Sequence, residues 1–597
     1  MTDPSELTPQ TPESGTGSGS TPPAGNSGSV PPTTPLTLVG GLASSPSWWS
    51  RWHRFVIGGA ATVVVLAAAA GALFLVLKPT TSVDKMVPAS MDVYGLAYID
   101  PSATQKLNLM QAVHRFPDTS TDQKIDDQLD KAFKDSGLTF SGDIKPWLGS
   151  QIGFALQLPK DSSEPPVAVL VATRDDAKAQ AALTKAQNGT YGKGFTWQTH
   201  TYDGVTITVA TPSSKTNNPG AYAVVDHVVV IATSEDLIHQ IIDTSRGRAA
   251  RLIDSSDYKA TFAKLPSDRL AFVYLNGQSL VTKLKSQLSD MASPGVRSLV
   301  PQGLNGQSLG DAAALQGVGV VLSARQNAIV LDVAARLDTT KLSATTKAAL
   351  SSSGSADEVV AWVPTTADGF WSATGISQAI QTALDQLGSS DPSVQAATDE
   401  LGLTGPDGVL RHLTGNAGLE ATVDSSITPA GAVILGTDNA ASMEKFFRGV
   451  LALVAQEQTK ATTTTTTYRG VKITTLDLHE PFLAGGLTPS YAVVDGMGII
   501  GSRRAEVVAV INTHKDHHSI ATDPTYTAAS QASLSHPSGI LYLDLARLVS
   551  TLERSPLVAS AGVDSKTRAD LAPLKSFIVT ATTSQDGLLE RLIVFVQ

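Results

Sequence analysis

A long-range internal repeat constrains this chain more than any other feature. The stretch Tyr202-Asp-Gly-Val-Thr-Ile-Thr, followed by Ala221-Tyr-Ala-Val-Val-Asp226, recurs as Tyr468-Arg-Gly-Val-Lys-Ile-Thr, followed by Ser490-Tyr-Ala-Val-Val-Asp495. Thr173 recurs as Thr437 and Tyr274 as Tyr542 at nearly the same spacing. Upstream, Asp92-Val-Tyr-Gly-Leu-Ala-Tyr-Ile-Asp100 is set against Glu358-Val-Val-Ala-Trp-Val-Pro-Thr-Thr366, and Trp147-Leu-Gly149 against Leu413-Thr-Gly415. A repeat of this length implies two copies of one domain-sized unit, read here as residues 86–337 and 357–597. The Ser/Ala/Thr-rich segment 338–356 is the joint.

Within one unit, Val205-Thr-Ile-Thr-Val209 and Gly317-Val-Gly-Val-Val-Leu322 have the two-residue period of strands. Asp203-Gly204 and Arg469-Gly470 separate such runs and predict hairpin turns. Helical periods cover Asp175–Gln187 and Ala440–Ala455, and Ser234 predicts an N-cap, with Ser502 in the second unit. Strands and helices do not alternate regularly. The expected class is therefore α+β, with antiparallel sheets and flanking helices rather than a doubly wound parallel sheet.

Ahead of the repeat, residues 1–50 are rich in Pro, Ser, Thr and Gly and predict a disordered tail. Residues 51–78 predict a transmembrane helix with flanking Trp and Arg. Phe55–Leu77 carries no charge and, at about 1.5 Å per residue, reaches roughly 34 Å, enough to cross a hydrocarbon core. Trp48, Trp49, Trp52, Arg51 and Arg54 precede it, and Lys78-Pro79 ends it. The run starts too late and lasts too long for a cleaved signal peptide. The denser cluster Arg51, His53 and Arg54 places the N-terminus in the cytoplasm and the repeat outside it, although Lys78 and Lys85 balance the simple count.

The start of the first unit, Val87-Pro-Ala-Ser-Met-Asp-Val-Tyr-Gly-Leu-Ala-Tyr-Ile-Asp-Pro101, and Phe140-Ser-Gly-Asp-Ile-Lys-Pro-Trp-Leu-Gly149 resemble a bacterial family known as a domain of unknown function, number three-three-five-two. The resemblance covers about Met86 to Gln597. It implies the same layout: a variable low-complexity N-terminus, one membrane helix and a long exported region. It implies no catalytic or binding residue.

Candidate sites are few. The chain has no cysteine, which excludes disulfides, thiolate nucleophiles and Cys-ligated metals. A net charge of -10 argues against a nucleic-acid partner. His514, His517 and His518 form the one histidine cluster, yet the matching stretch Arg246–Arg251 has none, so a solvated loop is expected. Asp122, Asp126, Asp127 and Asp130 alternate with Lys124 and Lys131 as on a solvated helix face. Thr462–Thr467 suits a strand, although exported threonines can be glycosylated. Trp147 and Gly149 read as an aromatic plug and a turn, with a ligand pocket as the alternative. Gly306-Gln-Ser308-Leu-Gly310 spells a nucleophile elbow, but Pro301-Gln-Gly-Leu-Asn305 is a poor strand to lead into it. Gly496-Met-Gly498-Ile-Ile-Gly501 spells a dinucleotide pattern, but its counterpart His227–Ala232 is a plain strand.

No catalytic residue, cofactor or metal site is therefore assigned. The expected function is a noncatalytic, membrane-anchored extracytoplasmic module that binds or organises an envelope protein, a lipid or a cell-wall ligand. The alternative is an envelope hydrolase or transferase with a site between the two units.

Overall fold

The computed structural model describes residues 82–597, apart from 118–121, 134–136, 160–164, 190–191, 214–218, 291–310, 351–354, 379, 382–383, 385–397, 406, 425–427, 457–460, 480–486, 557–563 and 585. The tail, the apolar run 55–77 and Ser308 lie outside the described residues. No described helix is long and apolar enough to cross a membrane.

Among the described residues, twenty strands form one sheet. The first ten are β1 Val93–Tyr98, β2 Leu148–Leu156, β3 Val167–Thr173, β4 Phe195–Tyr202, β5 Val205–Pro212, β6 Gly220–Val225, β7 Val228–Ala232, β8 Ala271–Asn276, β9 Leu315–Arg325 and β10 Ala328–Leu337. The second ten are β11 Gly369–Ala373, β12 Leu413–Val423, β13 Pro429–Thr437, β14 Thr462–Tyr468, β15 Val471–Asp477, β16 Ser490–Val494, β17 Met497–Gly501, β18 Gly539–Leu543, β19 Leu574–Ser584 and β20 Gly587–Val596. Each of these strands pairs antiparallel with its neighbours. The first half runs in space β4-β5-β6-β7-β3-β2-β1-β8-β9-β10. The second repeats this order as β14-β15-β16-β17-β13-β12-β11-β18-β19-β20. β10 pairs with β20, so the two halves meet edge to edge and the sheet is continuous. Mixed helix and antiparallel sheet is the α+β class.

Local chemistry explains the hairpins. Asp203 and Gly204 have φ of 48° and 75°, and Arg469 and Gly470 have 48° and 83°, the left-handed pair that a two-residue turn between twisted strands requires. Gly496 belongs to the turn between β16 and β17, and Gly498 lies in β17 against Met443 and Phe447. The apparent dinucleotide pattern is thus a strand hairpin. Ser234 caps the Glu235–Ser245 helix, its hydroxyl accepting from Leu237 N. Ser502 does not repeat this; its hydroxyl accepts from Gly431 N instead, tying the helix entry to β13.

Strand register corrects two of the alignments suggested by the letters. Tyr94 and Phe370 each lie opposite the repeated tyrosine, Tyr274 and Tyr542 respectively, so Asp92 corresponds to Asp368 and not to Glu358. The stretch Val359-Val-Ala-Trp-Val-Pro364 instead matches Val83-Asp-Lys-Met-Val-Pro88, since Pro88 bridges to Arg251 as Pro364 does to Ser519. Leu148 and Leu413 lie opposite Thr173 and Thr437, which puts His412, not Leu413, at the Trp147 position. Short apolar runs satisfy several letter alignments, and only pairing chooses among them.

The sheet has apolar residues on both faces. The inner face packs against the Glu235–Ser245 and Ser256–Phe262 helices around Tyr94, Leu170, Ile207, Ile238 and Tyr274. Its second-half equivalent packs against Arg504–Asp516 and Pro524–Ala532 around Phe370, Ile434, Ile473, Val507 and Tyr542. On the outer face, the Asp176–Asn188 helix sets Ala179 and Ala182 against Trp147 and Val229. The Ala440–Gln456 helix sets Met443, Phe447 and Leu451 against Leu476 and Tyr491.

Candidate functional site

The residues singled out in the sequence do not converge. His514 stacks on Trp362 with ring centroids 3.7 Å apart and bonds Asp495 at 2.9 Å. His517 is the left-handed cap of its helix, and His518 meets Thr522. Asp126 pairs with Lys145 at 2.6 Å, and Asp130 accepts from Ser141. Among the described residues, no group of three or more metal-ligating side chains comes together. Trp147 is buried, its indole N–H donating to Asp143 O at 2.6 Å. Thr462–Thr467 forms the exposed edge strand β14. The shared residues are scaffold: Tyr222 donates to Gln187, while Asp226 and Asp495 sit in turns with φ of 48° and 45°.

What converges is apolar. Alternation along each strand places Leu541, Trp371, Leu419, Val433 and Ile500 on the outer face. Pairing then aligns them in one row across β18, β11, β12, β13 and β17. Trp371, Leu419 and Leu541 are 38%, 46% and 36% exposed. Among the described residues, all the large apolar strand residues exposed to this degree, these three with Val169 and Ile231, lie on this same face. The row in the first half is Val273, Gly95, Phe154, Val169 and Ile231. There the Phe154 ring fills the space over Gly95 and is itself buried. In the second half a tryptophan replaces the glycine and a leucine replaces the phenylalanine, so the exposed members of the row are Leu541, Trp371 and Leu419, whereas in the first half they are Val169 and Ile231.

Beside the row lies a cavity of about 470 Å³, within the range of roughly 300–1,000 Å³ usual for small-molecule sites. Leu419, Ala421, Gly431, Val433 and Ile500 line it from the sheet, and Val450, Leu451 and Val454 from the Ala440–Gln456 helix. That helix runs about one turn past its first-half counterpart, Asp176–Asn188. Val454 and the exposed Leu453 stand on the added turn. Pro429, Pro489 and Ser502 also line it. The Ser502 hydroxyl is already committed to Gly431 N.

Behind the cavity, on the inner side of the sheet, sits Glu420, 2% exposed, between Phe370 and Ala432 on the neighbouring strands. Burial first, and then the charge of Glu506, push its carboxyl up to about 8. Glu506 is also buried; one of its oxygens accepts from Arg503 at 2.9 Å and the other, Oε2, has no hydrogen-bond partner among the described residues. The first half has Ala155 and Leu237 at these positions, so the fold itself does not require the carboxyls. Sequence reasoning missed Trp371, Leu419 and Glu420. The signal available was a difference between the repeats at matched strand positions, which needs the corrected register.

Fold and site together define a class: a duplicated α+β protein with one continuous antiparallel sheet, one face of which is left partly open and apolar. The chain belongs to the family described as protein of unknown function (DUF3352), which matches residues 55–402 and 415–593. No curated protein matches. Solved structures similar to parts of the chain include three crystal forms of TP0453. Form IV is 10% identical with a TM-score of 0.22, covering 43% of this chain and 81% of the other. Form III is 9% identical with a TM-score of 0.23, covering 44% and 81%. Form I is 9% identical with a TM-score of 0.22, covering 45% and 83%.

Proposed function

We propose that this protein is a membrane-anchored, extracytoplasmic and noncatalytic binding module whose second unit holds an apolar guest in the cavity under the Ala440–Gln456 helix. The observation that carries this reading is an aliphatic cavity opening beside an exposed apolar row, in the half of the molecule where Trp371 and Leu419 stand at the positions of Gly95 and Phe154. Contiguous exposed apolar surface of this kind marks interaction sites in folded proteins. The anchor is Phe55–Leu77. Val83 is already fully buried in the first-unit core, so the fold begins within six residues of the apolar run and is held close to the bilayer.

The test is native mass spectrometry with solvent extraction on the full-length chain purified in mild detergent. The expected result is a stoichiometric apolar molecule that is lost in Val454→Glu, a change at an exposed position that puts a charge in the cavity wall. An empty wild-type protein, or a guest that Val454→Glu leaves in place, would sink the proposal. Protease shaving of intact cells tests the location: degradation of the region after residue 82 is expected, and full protection would reverse the topology.

A further inference from the structure

We infer that the guest is a two-chain membrane lipid, with one acyl chain in the cavity and the second lying along Leu419, Trp371, Leu541 and Val579. The inference rests on the binding reading above and adds the ligand class.

The cavity offers a guest almost nothing polar. Its lining side chains are aliphatic except Ser502, whose hydroxyl bonds Gly431 N, and Glu420, whose side chain lies on the other side of the sheet. A guest with polar groups inside would have to leave them unpaired, at a cost of about 1–3 kcal/mol each. Hydrocarbon carries no such cost. A single chain in the cavity, however, leaves the adjoining row uncovered. Leu419 belongs to both the cavity and the row and pairs with Trp371, which pairs with Leu541, which pairs with Val579. None of the four is charged. They cross three strand spacings, roughly 14 Å at about 4.8 Å each, close to the roughly 15 Å that one leaflet of a bilayer gives its acyl chains. Two hydrocarbon branches diverging at Leu419 therefore fit the two surfaces, and the headgroup stays in water. A bilayer source is at hand if the apolar run ending at Leu77 spans the membrane, because Val83, six residues further along the chain, is already buried in the first-unit core.

The experiment uses the full-length chain in phosphatidylglycerol nanodiscs and reads the emission of Trp371 as the difference between wild type and Trp371→Phe. Bromine atoms quench tryptophan on contact. Replacing the nanodisc lipid by its dibromostearoyl form is expected to remove most of the Trp371 component, and Val454→Glu is expected to reduce that loss. Dibromostearic acid, a single chain, is expected to enter the cavity and leave Trp371 emitting. If the fatty acid is retained and lost in Val454→Glu while the two-chain lipid never quenches Trp371, the inference fails and the binding reading stands. If neither probe is retained, both fail. If Trp371 is shielded without any lipid in a species twice the mass, a second copy covers the row and the inference is overturned.

Discussion

Asp332 and Arg591 occupy equivalent positions in the two halves and face each other across the β10–β20 pair, Arg591 Nε donating to Asp332 Oδ1 at 2.7 Å. The equivalence follows from the hairpins: Ala328 pairs with Arg325 where Gly587 pairs with Ser584, and the two residues lie at the same distance beyond them. They therefore sit on the pseudo-twofold axis that relates the halves. Identical units would bring like side chains together here, and two aspartates or two arginines would repel. Divergence to an acid and a base makes the intrachain edge self-complementary. Asp332 is 1% exposed, so the pair is desolvated.

Removing one partner of a buried ion pair strands the other charge, which costs about 3–5 kcal/mol, whereas replacing both with apolar groups is often neutral. Asp332→Leu and Arg591→Met are each expected to lower the unfolding midpoint strongly. The double variant is expected to recover most of the loss, as read by thermal unfolding. A double variant as unstable as the sum of the singles would mean that the two charges are not coupled and that each side chain acts through its other contacts.

Gly95 and Phe154 make the opposite choice to Trp371 and Leu419. A Cβ on residue 95 would strike the Phe154 ring. Gly95→Ala is expected to cost about 1–3 kcal/mol by overpacking. Phe154→Leu, the second-half solution, should relieve it, so that a double-mutant cycle by chemical denaturation gives a favourable coupling. Strict additivity would mean that the ring moves aside freely.

The parts legible in the sequence were those set by short-range chemistry. Asp203-Gly204 and Arg469-Gly470 announced hairpins because two adjacent left-handed residues are a local demand, and Ser234 announced its cap for the same reason. The β10–β20 junction was not legible. It joins residues that pair only in three dimensions, and β10 reads Ala-Ile-Val-Leu-Asp-Val-Ala-Ala-Arg-Leu, too apolar on both faces for alternation to tell inside from outside. The same ambiguity hid Trp371 and Leu419. Their role is visible only once register shows that they replace Gly95 and Phe154.

His227 stands in a turn at φ 65°, where the second half has Gly496 at φ 81°. A left-handed conformation costs a residue with a Cβ about 1–2 kcal/mol that glycine avoids. Its imidazole meets Asp176 at 2.8 Å, but the pair is exposed and exposed pairs are worth at most about 1 kcal/mol. His227→Gly is therefore expected to leave the melting temperature unchanged or raise it slightly. A clear fall would mean that the Asp176 contact is worth more than the backbone strain.

Glu420 makes the pH dependence of stability specific. In the unfolded chain its carboxyl titrates near the ordinary value of 4.5, and in the fold, through burial and Glu506, near 8. Between those values the folded protein holds a proton that the unfolded chain has released. Its contribution is complete below about pH 4.5, falls as pH rises, and is lost above about 8. The slope approaches roughly 1.4 kcal/mol per pH unit in the middle of that window. A glutamine at this position has no such proton to lose, so Glu420→Gln is expected to flatten the fall in urea midpoint between about pH 5 and pH 8, with the two proteins diverging as pH rises. Ala155, the first-half counterpart, offers a control: Ala155→Glu should create a new loss of stability over the same window. If wild type and Glu420→Gln run parallel across the window, Glu420 ionises in the fold as it does in water, and its burial between Phe370 and Ala432 is relieved by solvent.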